Sequence, residues 1–173
     1  MSAQAGSAVQ DRQRGHAGDL ADAPAITAAG EAAGAAPRAT VEVTRVYHFS
    51  SAHRLSSPAL GAADNARLYG ACARPHGHNY YVEVTLAGVP DTLTGMAVDI
   101  GRLDRVVDET LISAVDHHSL EEVPALAGVI TTGECLARAF WRMIAPAVAP
   151  ATLTRVVVHE TAKNRFEYRG PES

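Results

Sequence analysis

The sequence predicts one α+β domain, an antiparallel sheet carrying two helices on one face. Alternating runs over Val41–Phe49 and Asn79–Ala87 have the two-residue period of half-buried strands. Two later stretches, opening at Asp99 and Thr131, carry apolar residues at helical spacing instead. A β-branched run over Leu153–His159 then gives a third strand, and Phe166–Arg169 offers it a short partner. The resulting order, ββααββ, suits an antiparallel sheet with its helices gathered on one side.

Residues 1 to 39 are rich in Ala, Gly, Ser and Gln and almost lack large apolar side chains. Such a stretch cannot bury enough surface to offset its ordering entropy, so a disordered extension is expected there, followed by a single folded domain over residues 40 to 173. It has no basic start followed by an apolar segment, so it does not read as a secretory signal. In the first strand Val41, Val43, Arg45, Tyr47 and Phe49 alternate with Glu42, Thr44, Val46 and His48. From Arg54 to Arg74 the chain reads as a loop, punctuated by Pro58, Gly61, Asp64-Asn65 and Gly70. Asp99 is placed to cap a helix of about 16 residues. Ile100, Leu103, Val106, Val107, Thr110, Leu111 and Ala114 form its apolar face, and Arg102, Asp104, Arg105, Asp108 and Glu109 its solvated one. Thr131 and Glu134 have the spacing of a capping box for the second helix, which buries Leu136, Ala139, Phe140, Met143 and Ile144 and closes at Pro146.

With 173 residues, 47% hydrophobic and 20% charged, and a net charge of −4, the chain has the composition of a soluble globular domain. No basic stripe suggests nucleic acid as a partner, and no apolar run is long enough to span a bilayer. Cys72 and Cys135 make no disulfide framework, and free thiols suit a reducing cytoplasm.

The strongest chemical signal is His76-Gly-His78 opening the second strand, read with His53 at the end of the first. Residues i and i+2 of a strand share a face, so His76 and His78 can reach one point, and His53 can join them if the two strands pair. Three neutral imidazoles with an open position suit a catalytic zinc; with Cys72 as a fourth ligand the same set would close a structural site. Asp116 beside His117 could orient a general acid or base, although His118 competes for that role and a histidine at a helix C-terminus is also favoured by the dipole. Glu160, just past a buried-looking strand, could hold a donor-rich ligand or be an ordinary strand end.

The strings Phe49–Leu55 (FSSAHRL), Leu68–Cys72 (LYGAC), His76–Tyr80 (HGHNY), Gly95–Asp99 (GMAVD), Asp116–Leu120 (DHHSL), Thr132–Glu134 (TGE) and Val158–Thr161 (VHET), in this order, resemble the 6-pyruvoyl-tetrahydropterin synthase family. Its bacterial branch includes the 6-carboxy-tetrahydropterin synthases of queuosine and deazapurine biosynthesis. The resemblance implies a tunnelling fold (T-fold), a cytoplasmic lyase, and a homo-oligomer, hexamer or tetramer, with active sites between subunits. It implies zinc on His53, His76 and His78, Cys72 as general base, and Asp116 with His117 as a proton relay. Glu160 would anchor a pterin ring, with Thr132 and Glu134 lining its pocket. The implied substrate is 7,8-dihydroneopterin triphosphate. The Cys72-x3-His76 spacing and the Asp-His-His tract favour the carboxy-forming reaction, which releases acetaldehyde and triphosphate; the pyruvoyl-forming elimination is the alternative, and a non-catalytic zinc-stabilised binding domain a second one. The chain departs from the family pattern at Thr131 (commonly Pro), Cys135 (commonly Asn) and Glu121 (commonly Asn).

Overall fold

The computed structural model describes residues 39–171. The extension expected over residues 1 to 39 lies, Ala39 apart, outside the described residues. Four antiparallel strands lie in the order β1 (Val41–His53), β2 (His76–Gly88), β3 (Thr152–His159) and β4 (Arg165–Tyr168). Phe49, Tyr80, Val82, Val84, Val156 and Val158 project from one face of this sheet into the core. There they meet Leu103, Val107 and Leu111 of the first long helix and Leu136 and Phe140 of the second. The expected α+β arrangement, with both long helices on one side of an antiparallel sheet, is therefore the observed one.

The β-branched run of β3 needs one adjustment to fit that face. Thr85 pairs with Arg155 but Leu86 pairs with Leu153, so Thr154 is an extra residue, a bulge. Strict alternation from Val158 and Val156 would send Leu153 to the outer face. The bulge returns it to the core, where it is 6% exposed.

The Arg54–Arg74 stretch is not the loop its composition suggests. It holds a short helix, α1 (Ala62–Tyr69), and a 3-10 turn, Gly70–Ala73. The side chain of Asn65, buried in this helix, organises the approach to it. Its Nδ2 donates to the carbonyls of Ser57, Leu60 and Gly61, and its Oδ1 accepts from the Ser57 N–H. Asn usually reads as a turn former, because its amide satisfies nearby backbone groups; here it does so from inside a helix.

Asp99 caps the next helix as expected, accepting from the Arg102 N–H at 2.9 Å. The chain stays helical through α2 (Ile100–Val107), a π turn (Asp108–Ile112) and α3 (Ser113–Val115). Leu103, Val107, Leu111 and Val115 are all buried. A four-residue repeat drifts about 40° per step around an α-helix of 3.6 residues per turn, and one wider turn offsets part of that drift. Ile100, by contrast, is 43% exposed and lies outside the core it was expected to join. Asp104, expected to be solvated, receives Arg45 through two nitrogens and the Tyr47 hydroxyl, tying the helix to β1.

The last helix, α4 (Gly133–Ile144), is capped one residue later than expected, by Thr132, which accepts from the Cys135 N–H at 3.4 Å. Thr131 is buried and donates its hydroxyl elsewhere, so the Thr131–Glu134 capping box does not form. Glu134 then sits too early in the helix to reach back to a cap. Gly133 is required at this point, because a Cβ there would lie 2.0 Å from the Phe166 ring of β4. Among the described residues no helix is long and apolar enough to cross a membrane.

Candidate metal centre and adjoining pocket

Strand register assembles the three histidines. His53 pairs directly with His76, and Ser51 with His78, so all three imidazoles leave the same face of β1 and β2. Their ligand atoms lie within 4.8 Å of one another. Gly77, between the two β2 histidines, points to the opposite face.

Hydrogen bonding prepares the rings for a metal. His53 is 1% exposed, and its Nδ1 is 3.0 Å from the Thr131 carbonyl, where it can only donate. That leaves Nε2 with a free lone pair, buried and without a hydrogen-bond partner, and His78 Nε2 is in the same position. Orphaned buried nitrogens are costly unless something occupies the space between them. His76 is tied in the same way, Nδ1 to the Arg74 carbonyl at 2.8 Å. Burial lowers the pKa of both His53 and His78, and neighbouring imidazoles lower each further, so both favour the neutral form that a metal ligand needs. Two hard-to-satisfy nitrogens, backbone-set tautomers and a neutral donor set fit a zinc ion.

The two departures at Thr131 and Glu121 prove to be partners. Thr131 donates its hydroxyl to Glu121 Oε1 at 2.8 Å, and the same carboxylate oxygen accepts from the Arg54 N–H at 3.1 Å. Ser119 donates to Glu121 Oε2. Glu121 therefore steadies the backbone on both sides of His53: Arg54 follows it in sequence, and Thr131 supplies the carbonyl that orients its ring. Neither residue stood out as a support from sequence, because their only signal was the departure itself.

A pocket of about 360 Å³ opens over the triad, lined among others by Cys72, Thr132, Glu134, Glu160, Asn164 and Phe166. It thus gathers all the expected substrate-binding residues. Glu160 is no ordinary strand end: its side chain is 14% exposed, with Oε1 3.8 Å from His53 Nε2. Its Oε2 accepts from Asn164 Nδ2, and its N–H donates to the Asn164 carbonyl, so the turn after β3 aims it. Cys72 is exposed on the same pocket and does not belong to the cluster of converging ligand atoms. Asn164 and Phe166 were not singled out; the alternation of β4 would have placed Phe166 on this face.

Asp116 and His117 are not in this pocket. They pair with each other, Asp116 Oδ1 to His117 Nδ1 at 2.9 Å, which selects His117 over His118 as the partner. The Ser50 N–H donates to the same carboxylate oxygen and, with His117, holds the Asp116 carboxyl below its ordinary range. The segment runs beside the free edge of β1, with His117 N–H donating to the Ser50 carbonyl and Ala52 N–H to that of His118. His117 adopts a φ of 59°, an uncommon conformation for a non-glycine residue. His117 lines a second, more open hollow with Ala52, Gly77 and Asn79, which lie on the opposite face of the strand pair from His53 and His76, and with His78, which the two hollows share.

A family profile described as 6-pyruvoyl tetrahydropterin synthase matches residues 42–171. The chain is 40% identical over 131 residues to a 6-pyruvoyl tetrahydrobiopterin synthase of Poecilia reticulata, covering 74% of this chain and 89% of that one. It is 36% identical over 140 residues to the human protein of the same name, covering 79% and 97%. The solved structure of Caenorhabditis elegans 6-pyruvoyl tetrahydropterin synthase superposes with a TM-score of 0.73 at 34% identity, covering 77% of this chain and 97% of that one. With the T-fold sheet, its helices and these relatives together, the chain belongs to the 6-pyruvoyl tetrahydropterin synthase family.

Proposed function

We propose that this protein converts 7,8-dihydroneopterin triphosphate to 6-pyruvoyl-tetrahydropterin, releasing triphosphate. The observation that carries the reading is the single pocket holding the His53–His76–His78 cluster, Cys72 and Glu160 together. The names of the relatives favour this reaction over the carboxy-forming one, which the Cys72–His76 spacing and the Asp116-His-His tract suggest and which gains no support from them.

The chemistry needs no external oxidant or reductant. Triphosphate leaves from the side chain, and the hydrogens taken from side-chain carbons return to the ring as those carbons become carbonyls. His53, His76 and His78 would hold zinc, which supplies Lewis acidity toward the side-chain oxygens of the substrate. Glu160 accepts hydrogen bonds from the amino-pyrimidinone edge of the ring, charge-assisted and in a partly buried setting. Cys72, exposed to the pocket and outside the ligand cluster, is placed to take a proton as thiolate. Thr132 and Glu134, at the start of α4, line the ring's side of the pocket. The Asp116–His117 pair serves as proton relay from a second copy of the chain. Its imidazole, 81% exposed and absent from the lining of the chain's own pocket, favours an oligomer in which each site is completed by a neighbour.

Incubation of the zinc-loaded protein with 7,8-dihydroneopterin triphosphate, with products followed by mass and acetaldehyde trapped, tests the reading. A 6-pyruvoyl product without acetaldehyde is expected. A 6-carboxy product with matching acetaldehyde would restore the other reaction, and no triphosphate release would sink both.

A further inference from the structure

Beside the metal pocket lies a second hollow of about 490 Å³, lined by Arg54, Leu55, Ser56, Ala62, Asn65, Ala66, Gly70, Ala71, Ala73 and Arg74. Its walls are the end of β1, the helix α1 and the 3-10 turn before β2. Leu55 lines both cavities, and the turn that presents Ala71 and Ala73 here presents Cys72 to the metal pocket. The Leu55 N–H donates to the Cys72 carbonyl at 2.7 Å and closes the partition between them. The two spaces are thus neighbours that share Leu55.

This hollow is lined by small residues and two arginines, and no carboxylate is among its lining residues. Neither Arg54 nor Arg74 has an ion-pair partner among the described residues. By contrast Arg67, the other arginine of this segment, lies against Asp64. Both arginines are also anchored at the backbone. The Arg54 N–H is held by Glu121, and the Arg74 carbonyl accepts from His76 Nδ1 while its N–H donates to the Ala71 carbonyl. The main chain is therefore set by the same contacts that orient the metal-site histidines, while the cationic ends stay unpaired. Two unpaired guanidiniums around a carboxylate-free hollow match a polyphosphate, whose oxygens accept the forked donors of arginine.

We propose that this hollow is the binding site for the triphosphate chain, with Arg54 and Arg74 as its two cationic ligands. The identity of the ligand rests on the proposed reaction; the anion site itself rests on the geometry. The substrate would lie across the Leu55–Cys72 partition, ring over Glu160 and phosphates beside the arginines. Its leaving group would then be held away from the carbons that lose protons. Arg67, basic and in the same region, is excluded, because it is spent on Asp64 at 2.8 Å.

The test is calorimetric titration of the zinc-loaded full chain with inorganic tripolyphosphate, repeated on Arg54→Gln, Arg74→Gln and Arg67→Gln. All three side chains are exposed, so fold and zinc content should hold, and circular dichroism and metal analysis check this. Tripolyphosphate should bind the wild type, weaken as salt rises, and weaken at least tenfold in each of the first two variants but not in Arg67→Gln. With 7,8-dihydroneopterin triphosphate the KM should rise by a similar factor in those two, while affinity for unphosphorylated 7,8-dihydroneopterin stays unchanged. Equal tripolyphosphate affinity in wild type, Arg54→Gln and Arg74→Gln would overturn the site, as would turnover in a wild type that binds no tripolyphosphate. Arginine-dependent tripolyphosphate binding without turnover would uphold the anion site and count against the proposed reaction instead.

Discussion

His53 and His117 sit at the two ends of a comparison that runs through one pair of strands. The side chain of His53 is 1% exposed and that of His117 is 81% exposed. His53 lies in a pocket whose Cys72, Thr132, Glu134 and Glu160 come from distant parts of the same chain. His117 has its orienting carboxylate, Asp116, but lines a more open hollow that shares only His78 with that pocket. The candidate metal ligands are finished inside one chain, because they are carried by strands whose register the hydrophobic face enforces. In the proposed reaction the dyad is the divided half: the fold orients its imidazole at Asp116, and a second copy would supply its target. If the unit is divided in this way, activity should depend on assembly while metal binding should not.

Losing a triad member should do most damage to the finished half. His78→Ala is expected to lose zinc and to lower turnover by on the order of 10^3-fold or more, since a Lewis acid supplies several kcal/mol. Metal analysis and an assay before and after a chelator check this; full activity in the stripped protein would remove zinc from the proposal. Cys72→Ala should keep its zinc and still lose about 10^2- to 10^4-fold in turnover, the range for a general acid or base. A binding domain with Cys72 as a fourth ligand would instead lose metal in this variant.

The divided half is probed by mixing. Cys72→Ala and His117→Ala, each nearly inactive alone, should recover about a quarter of wild-type activity when co-assembled in equal amounts, if each site takes its dyad from a neighbour. No recovery in verified mixed oligomers would place both residues in the service of one subunit. Glu160→Gln is expected to weaken pterin binding by roughly 10- to 100-fold, the worth of a charge-assisted hydrogen bond, with zinc retained. Titration with 7,8-dihydroneopterin reads this directly.

The smallest effects concern the supports. Thr131→Val removes the hydroxyl bridge to Glu121 and should weaken zinc by about tenfold through His53, as outer-shell changes do. Competition with a fluorescent chelator measures it. The metal-free protein should also report the buried imidazoles through pH. Burial holds His53 and His78 below the ordinary imidazole range, so as pH falls the unfolded chain takes up protons first. Stability of the metal-free fold should therefore be undiminished above about pH 6.5 and decline below it, toward the lower folded values. Thermal melts across that interval check the sign; a rise in stability on acidification would show that the rings are not held neutral.

Much of this was legible in the chain itself. The alternation through Phe49 and Tyr80 put His53, His76 and His78 on one face before any register was known, because a strand has only two faces and the core claims one. The cap at Asp99, the apolar stripe through Leu103 and Phe140 at the centre of the second helix were likewise local, set by spacing and short-range hydrogen bonds. What composition hid was the helix over Ala62–Tyr69: Asp64 and Asn65 within it, between Gly61 and Gly70, look like turn residues, and only the four hydrogen bonds of the Asn65 amide to its own approach segment show otherwise. The cap at Thr132 rather than Thr131 was decided by burial and by Glu121, ten positions away.

The sequence by itself determined the donor set, the strands that carry it and the family to which the chain belongs, since each depends on residue type and spacing along the chain. Only the tertiary structure decided that Cys72 and Glu160 share the metal's pocket, that Asp116 and His117 do not, and that Arg54 and Arg74 border one carboxylate-free hollow. Those are relations between segments far apart in sequence, and they arise when the sheet pairs and the helices close over it.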